Sequence, residues 1–210
     1  MKCYYFYDCP RTGGTSFKKW CRDGNAKRIY YGDRKGWHHV PFKPRSEVCS
    51  LVPPNYNLWT FTLLRDPVEH TASLYAKIRE HKHSYCANLR GLSFNDWITG
   101  PFEEDSKTSP DPWGFSFVRF YDPDTHNLEK AISNIESMDF VGFTERLGED
   151  VNLMLRESGS KTFFNNRKLN SKARNFIVSD SEKEIIKRVR SDDYKLVNNF
   201  RTIRNLPKYE

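Results

Sequence analysis

The chain has 210 residues, 15% of them aromatic, which is enough for one domain over residues 1–210 with a full hydrophobic core. Its formal charge of +7 favours anionic partners, such as a nucleotide, an acidic polysaccharide or a nucleic acid. The five cysteines are odd in number and form no CxxC pair, which argues against a zinc site and a complete disulfide framework. No apolar run approaches the roughly 20 residues of a membrane helix, so we expect neither a membrane span nor a signal peptide.

The first predicted elements are a strand, a tight turn and a helix. The strand covers the β-type run of residues 4–7 and stops at Asp8, after which Pro10 sets the turn. Two glycines at residues 13–14 then let backbone amides approach a ligand, because they carry no Cβ atom. A short helix is predicted over residues 16–22.

This junction has the properties of a phosphate-binding loop. The amides of residues 13–17 are expected to be unpaired at a helix start, where partial positive charge and free donors favour a dianion. Arg11 adds a full charge, and Thr15 and Ser16 add hydroxyl groups. No lysine follows the second glycine, so the loop is not a Walker A motif, and a plain turn between strand and helix stays open as an alternative.

Two adjacent histidines follow a second predicted strand over residues 27–31. His38 and His39 lie in the run Gly-Trp-His-His-Val-Pro-Phe that ends at residue 42. Neighbouring side chains of an extended segment point to opposite faces, so at most one of the pair can face a given site. A structural histidine is the alternative at this position.

A second strand-to-helix junction follows a predicted loop over residues 44–57. The strand over residues 58–64 is nearly continuous in apolar residues, as in a parallel strand covered on both faces. Asp66 then has the position of a helix N-cap, with proline at the first helical position. Arg65 should project at the end of the strand, and Ser73 should lie about two turns into the helix on the face of the cap.

The remainder of the chain predicts further helices and one more strand. Apolar residues recur at helical spacing over residues 124–137, a strand follows at 140–143, and a helix begins near residue 147. A capping box at residues 181–184 precedes the last helical region. Strands that alternate with helices predict an α/β fold in which a parallel β-sheet is flanked by helices.

Three stretches in order resemble the sulfotransferases that use 3′-phosphoadenosine 5′-phosphosulfate (PAPS) as donor. They are PRTGGTSF at residues 10–17, LLRDPVEHTASLY at 63–75 and VGFTERLGEDVNLML at 141–155. The likeness is greatest to the carbohydrate group, the heparan sulfate and chondroitin O-sulfotransferases. It implies a P-loop-like parallel sheet, PAPS as donor and the desulfated bisphosphate PAP as product, with no metal required.

The resemblance also implies roles for individual residues. The 5′-phosphosulfate would be held by the first loop, comprising Arg11, Thr12, Gly13, Gly14, Thr15 and Ser16. The family's arginine and the serine eight residues later hold the 3′-phosphate, and here they match Arg65 and Ser73. Family members place a catalytic histidine between these motifs in H-x-P-F contexts, which favours His39 over His38 as general base.

Two positions depart from the family pattern. Arg11 stands where lysine is usual, and His70 stands where arginine is usual. Arg11 keeps the charge that would stabilise the leaving oxygen in catalysis, but it does not donate a proton as a lysine can.

The expected acceptor is a carbohydrate hydroxyl, in some cases on an anionic glycan, rather than a nucleic acid. Because the chain begins with methionine, we expect a soluble cytoplasmic relative, with a trimmed Golgi-lumenal catalytic domain as the alternative. Two other functions stay open, a P-loop-type small-molecule kinase and a non-catalytic basic module that binds polyanions.

Overall fold

The structure, a computed structural model, describes residues 2–20, 29–31, 42–80, 91–100, 116–165 and 176–209. The strands in these ranges are β1 (Lys2–Tyr7), β2 (Ile29–Tyr31), β3 (Asn57–Leu64) and β4 (Phe140–Phe143). The helices there are α1 (Gly14–Trp20), α2 (Arg45–Ser50), α3 (Pro67–Glu80), α4 (Phe94–Thr99), α5 (Phe117–Tyr121), α6 (Leu128–Glu136), α7 (Leu147–Glu157), α8 (Asp180–Val189) and α9 (Ser191–Ile203). A 3₁₀ turn, Thr144–Arg146, joins β4 to α7.

The strands form one parallel sheet in the order β2-β1-β3-β4. The longest pairing joins β1 to β3, from Lys2 opposite Asn57 to Tyr7 opposite Thr62. Parallel strands need crossover connections, and helices supply them here. The predicted α/β architecture, a parallel sheet flanked by helices, is therefore confirmed.

Both faces of the sheet are covered, because successive side chains of a strand point to opposite sides. Cys3, Tyr5 and Tyr7 of β1 pack into one core with side chains from α2, α5, α6 and α9. Tyr4 and Phe6 pack into the other core with α1 and α7. A third cluster joins α3, α4 and α8. These layers bury β1 and β3 and leave the ends of the strands for loops.

The strand order creates a switch point between the two central strands. After β1 the chain passes to β2 on one side, and it then crosses back to form β3 on the other side. Open parallel sheets bind ligands in the crevice outside the carboxyl ends of the strands at such a point. Here that crevice lies between the residues that follow Tyr7 and those that follow Leu64.

One helix and one helix cap differ from the sequence prediction. Helix α2 lies inside residues 44–57, predicted as loop, because a six-residue helix that buries only Val48 has almost no amphipathic pattern. The capping box before α8 is formed by Ser179 and Glu182, not at residues 181–184. The spacing Ser-x-x-Glu occurs twice in this stretch, so the local pattern alone did not choose between them.

The start of α6 also lies later than predicted. The predicted helix covered residues 124–137, whereas α6 begins at Leu128 with Asn127 as its N-cap. The buried Asp122 carboxylate accepts the amide of Asn127 at 2.8 Å and thereby holds the preceding residues in a turn. A local hydrogen bond from the backbone to a side chain has overridden a continuous helical pattern here.

Candidate functional site

The loop between β1 and α1 contains two residues with positive φ. Arg11 has φ +67° and Gly13 has φ +99°. A non-glycine residue seldom adopts this region, and such strain is concentrated at functional sites. The carbonyl of Gly13 accepts the amides of Ser16 at 3.1 Å and Phe17 at 3.3 Å, so Gly13 starts the helix.

The prediction that all amides of residues 13–17 are unpaired is therefore wrong for Ser16 and Phe17. The tight first turn of α1 uses both of them on the Gly13 carbonyl. Among the residues that the structure describes, the amides of Gly14 and Thr15 make no hydrogen bond. Together with Gly13, whose amide has no backbone acceptor in the described ranges either, three of the five predicted amides are left without a backbone partner.

Asp8 is a charged residue of this loop that the sequence pattern did not single out. A Cβ atom at Gly14 would lie 1.8 Å from its carboxylate oxygen Oδ1, so the close approach of Asp8 requires glycine at residue 14. An anion bound at these amides would lie near the Asp8 carboxylate, which acts against its binding. The sequence offered one indication for Asp8, namely its position directly after a buried strand and before the glycine turn.

Thr12 is fully buried, and its hydroxyl donates to the Cys9 carbonyl at 2.8 Å. Its side chain therefore stabilises the turn instead of lining the crevice. The hydroxyls of Thr15 and Ser16 are accessible, since Thr15 is exposed and Ser16 half-buried. Of the predicted loop residues, Thr12 therefore stabilises the loop from inside. Thr15 and Ser16 form its accessible rim.

The two sequence motifs meet at Arg11. Its Nε donates to the Ser73 hydroxyl at 2.9 Å, across 62 residues of sequence. Arg65 donates from Nη1 to the Arg11 carbonyl at 3.1 Å and from Nη2 to Glu69 at 3.2 Å. The structure thus brings Arg11, Arg65 and Ser73 into one cluster at the switch point, whereas the family resemblance implied that Arg11 and Ser73 bind opposite ends of the expected donor.

Both predicted base candidates, His38 and His39, lie outside the described residues. His126 is exposed, on the turn before α6.

His70 is a buried residue of the site whose role the sequence did not reveal. Its ring stacks on Phe117 with centroids 4.5 Å apart, and Nε2 lies 2.8 Å from the Pro10 carbonyl. A carbonyl only accepts hydrogen bonds, so Nε2 carries the proton. Burial lowers the pKa of His70 to about 3, and the neighbouring charges of Arg65, Arg190 and Arg11 act in the same direction. His70 is therefore neutral near pH 7.

We expect this neutral His70 to make stability depend on pH. The unfolded chain, with the ordinary histidine pKa near 6.5, takes up a proton that the folded protein does not bind. The contribution of neutral His70 to the free energy of unfolding is fully present above that pKa. It is lost as the pH falls toward 3, with a slope of about 1.4 kcal/mol per pH unit. Urea unfolding at pH 7, 6 and 5 should therefore give a steeper loss for wild type than for His70→Phe. Equal slopes would contradict a neutral His70.

A third strand end contributes Thr144, which the sequence pattern also missed. Its hydroxyl lies 3.0 Å from the Thr12 carbonyl and 3.1 Å from the Leu64 carbonyl. One hydroxyl proton is shared between these two acceptors. Thr144 thereby joins the carboxyl ends of β4 and β3 to the loop that follows β1. The signal available in the sequence was a threonine directly after a buried strand.

No family model matches the chain, and no curated protein matches it at a significant level.

In the described part of the chain, no helix has both the length and the apolar character of a membrane span. No group of three or more histidine, cysteine or acidic side chains in that part is arranged to hold a metal ion.

Proposed function

We propose that the chain is a PAPS-dependent sulfotransferase with a P-loop-like sheet, which transfers a sulfuryl group to a carbohydrate hydroxyl. The observation that carries the proposal is the cluster of Arg11, Arg65 and Ser73 at the switch point between β1 and β3. Two guanidinium groups and a hydroxyl suit a nucleotide with anionic groups at both its 3′ and 5′ positions. Residues from both sequence motifs supply this cluster.

The arrangement leaves donors free for such a ligand. The amides of Gly14 and Thr15 and the rim hydroxyls would hold the 5′-phosphosulfate. The Ser73 hydroxyl accepts from Arg11 and still has its own proton to donate to the 3′-phosphate. Arg65 also retains N–H groups beyond the two that bind Arg11 and Glu69.

The proposed reaction is an in-line displacement at sulfur. The acceptor oxygen forms a bond to sulfur while the bond from sulfur to the bridging oxygen breaks and its electron pair moves to that oxygen. Arg11 stabilises the negative charge that develops there, and His39 or His38 accepts the proton of the hydroxyl. The products are a sulfate ester and PAP.

Ligand-dependent thermal unfolding tests the proposal against its two rivals. The ligands are PAP, ATP with Mg²⁺, and heparin or DNA. PAP at about 100 times its Kd should stabilise the fold by about 2.7 kcal/mol and raise Tm by roughly 5 to 10 °C. If only ATP with Mg²⁺ raises Tm, the kinase is favoured. If only heparin or DNA raises Tm, the polyanion-binding module is favoured. Transfer of labelled sulfate from PAPS to desulfated heparan then tests catalysis directly.

Arg65→Ala is expected to weaken PAP binding by about 1.5 to 3 kcal/mol, the usual range for hydrogen bonds to a charged group. Titration calorimetry measures the change in Kd. Glu69→Gln is the matched control, because it removes the ion-pair partner of Arg65 but leaves the guanidinium charge. That control should bind PAP at least as tightly as wild type. An unchanged Kd in Arg65→Ala would remove Arg65 from the site.

A further inference from the structure

Three consecutive carbonyls of the β1–α1 loop each accept a hydrogen bond from a distant side chain. The Pro10 carbonyl lies 2.8 Å from His70 Nε2, and the Arg11 carbonyl lies 3.1 Å from Arg65 Nη1. The Thr12 carbonyl lies 3.0 Å from the Thr144 hydroxyl, 132 residues away. The donors come from α3, from the end of β3 and from the 3₁₀ turn after β4. Helix α3 and the ends of β3 and β4 thus each hold one carbonyl of the loop.

These contacts bracket the strained residue of the loop. Arg11 has φ +67°, a conformation that persists only where its surroundings fix it. The carbonyls before and after Arg11 are both held by side chains, those of His70 and Thr144. A carbonyl that is bound by such a donor does not present its negative end to an anion in the crevice.

We propose that His70 and Thr144 are positioning residues for the anion-binding loop. They hold the Pro10 and Thr12 carbonyls and thereby orient the Arg11 side chain toward Ser73 and the ligand. The Phe117 ring fixes the imidazole, and the Leu64 carbonyl fixes the hydroxyl against the end of β3. The identity of the ligand rests on the proposed function, but the orientation of Arg11 does not.

Four variants separate this role from general stabilisation. Thr144→Val removes the hydroxyl and nearly keeps the shape of the side chain, whereas Thr144→Ser restores the hydroxyl. Thr99→Val is the matched control, because the Thr99 hydroxyl also donates to a carbonyl, that of Asn95 at 2.7 Å, at an exposed position of α4. His70→Phe keeps an aromatic ring against Phe117 but removes the donor to Pro10.

The first measurement uses the protein without ligand. The NMR order parameter of the Arg11 Nε–H bond reports whether its side chain is fixed. We expect it to fall in Thr144→Val and in His70→Phe, to return in Thr144→Ser, and to stay at the wild-type value in Thr99→Val. A general loss of stability in a folded variant would not act selectively on this bond.

The second measurement is the Kd for PAP by calorimetry. Loss of one such hydrogen bond should weaken binding by about 5- to 10-fold in Thr144→Val, and Thr144→Ser should recover most of it. If Thr144→Val does not fold, His70→Phe carries the same test. Unchanged order parameters with an unchanged Kd in both variants would overturn the proposal. If wild type binds no PAP, the proposed function fails, and the order parameter alone decides the positioning role.

Discussion

Arg11→Ala should lower kcat for sulfuryl transfer by about 100- to 1,000-fold, the usual loss when a donor to a developing oxyanion is removed. The physical reason is that the negative charge on the bridging oxygen is larger in the transition state than in the bound donor. Binding of PAP should weaken much less. The measurement is a steady-state kcat from labelled PAPS beside a calorimetric Kd for PAP.

The structure supplies the controls for this experiment. Arg11→Lys keeps the charge and has the same Cβ atom in the left-handed conformation, so its backbone strain equals that of Arg11→Ala. It should retain much of the rate. Arg156→Ala removes an exposed positive charge from the last turn of α7 and should leave kcat unchanged. A lysine variant as inactive as the alanine variant would disprove the simple charge role.

His39→Ala should lower turnover by about 10²- to 10⁴-fold, with little change in the Kd for PAP. A sugar hydroxyl is a poor nucleophile near neutral pH, and a neutral imidazole within hydrogen-bond reach accepts its proton as the new bond to sulfur forms. His38→Ala should keep most of the activity, because neighbouring side chains of an extended segment point to opposite faces.

The outcome of the two single variants decides the assignment. The reverse pattern would move the role to His38, and near-normal rates in both single variants and the double variant would remove a histidine base. His70 does not compete for this role, because it is buried and Nε2 already donates to the Pro10 carbonyl. His70→Phe is therefore expected to act on the loop rather than on the protonation of the acceptor.

The placement of the central elements was predictable because their signals are local. A β-type run before two glycines, and an apolar run before an Asp-Pro helix start, predicted β1 and β3 with their following helices. Parallel strands end at the same edge, so both motifs were expected there. Helix α2 escaped prediction because tertiary packing, not periodicity, stabilises so short a helix.

The contacts within the site were less predictable. The family resemblance predicted that Arg11, Arg65 and Ser73 share one ligand, but the bond from Arg11 to Ser73 depends on side-chain conformations and on the strand order. The contacts of His70 and Thr144 with the loop span 60 and 132 residues. A single sequence has no local pattern that reports such pairs.

The shared hydroxyl of Thr144 affects the order in which the proposed binding site forms during folding. It links the first loop to a turn that follows the last strand of the sheet, so the loop gains its full support only after β4 has joined β3. Contacts of this sequence separation form slowly, because the chain must first lose the entropy of closing long loops. A nascent chain that has completed only β1 and α1 therefore has the glycine turn but lacks the bond from Thr144 that holds the Thr12 carbonyl of the proposed anion site.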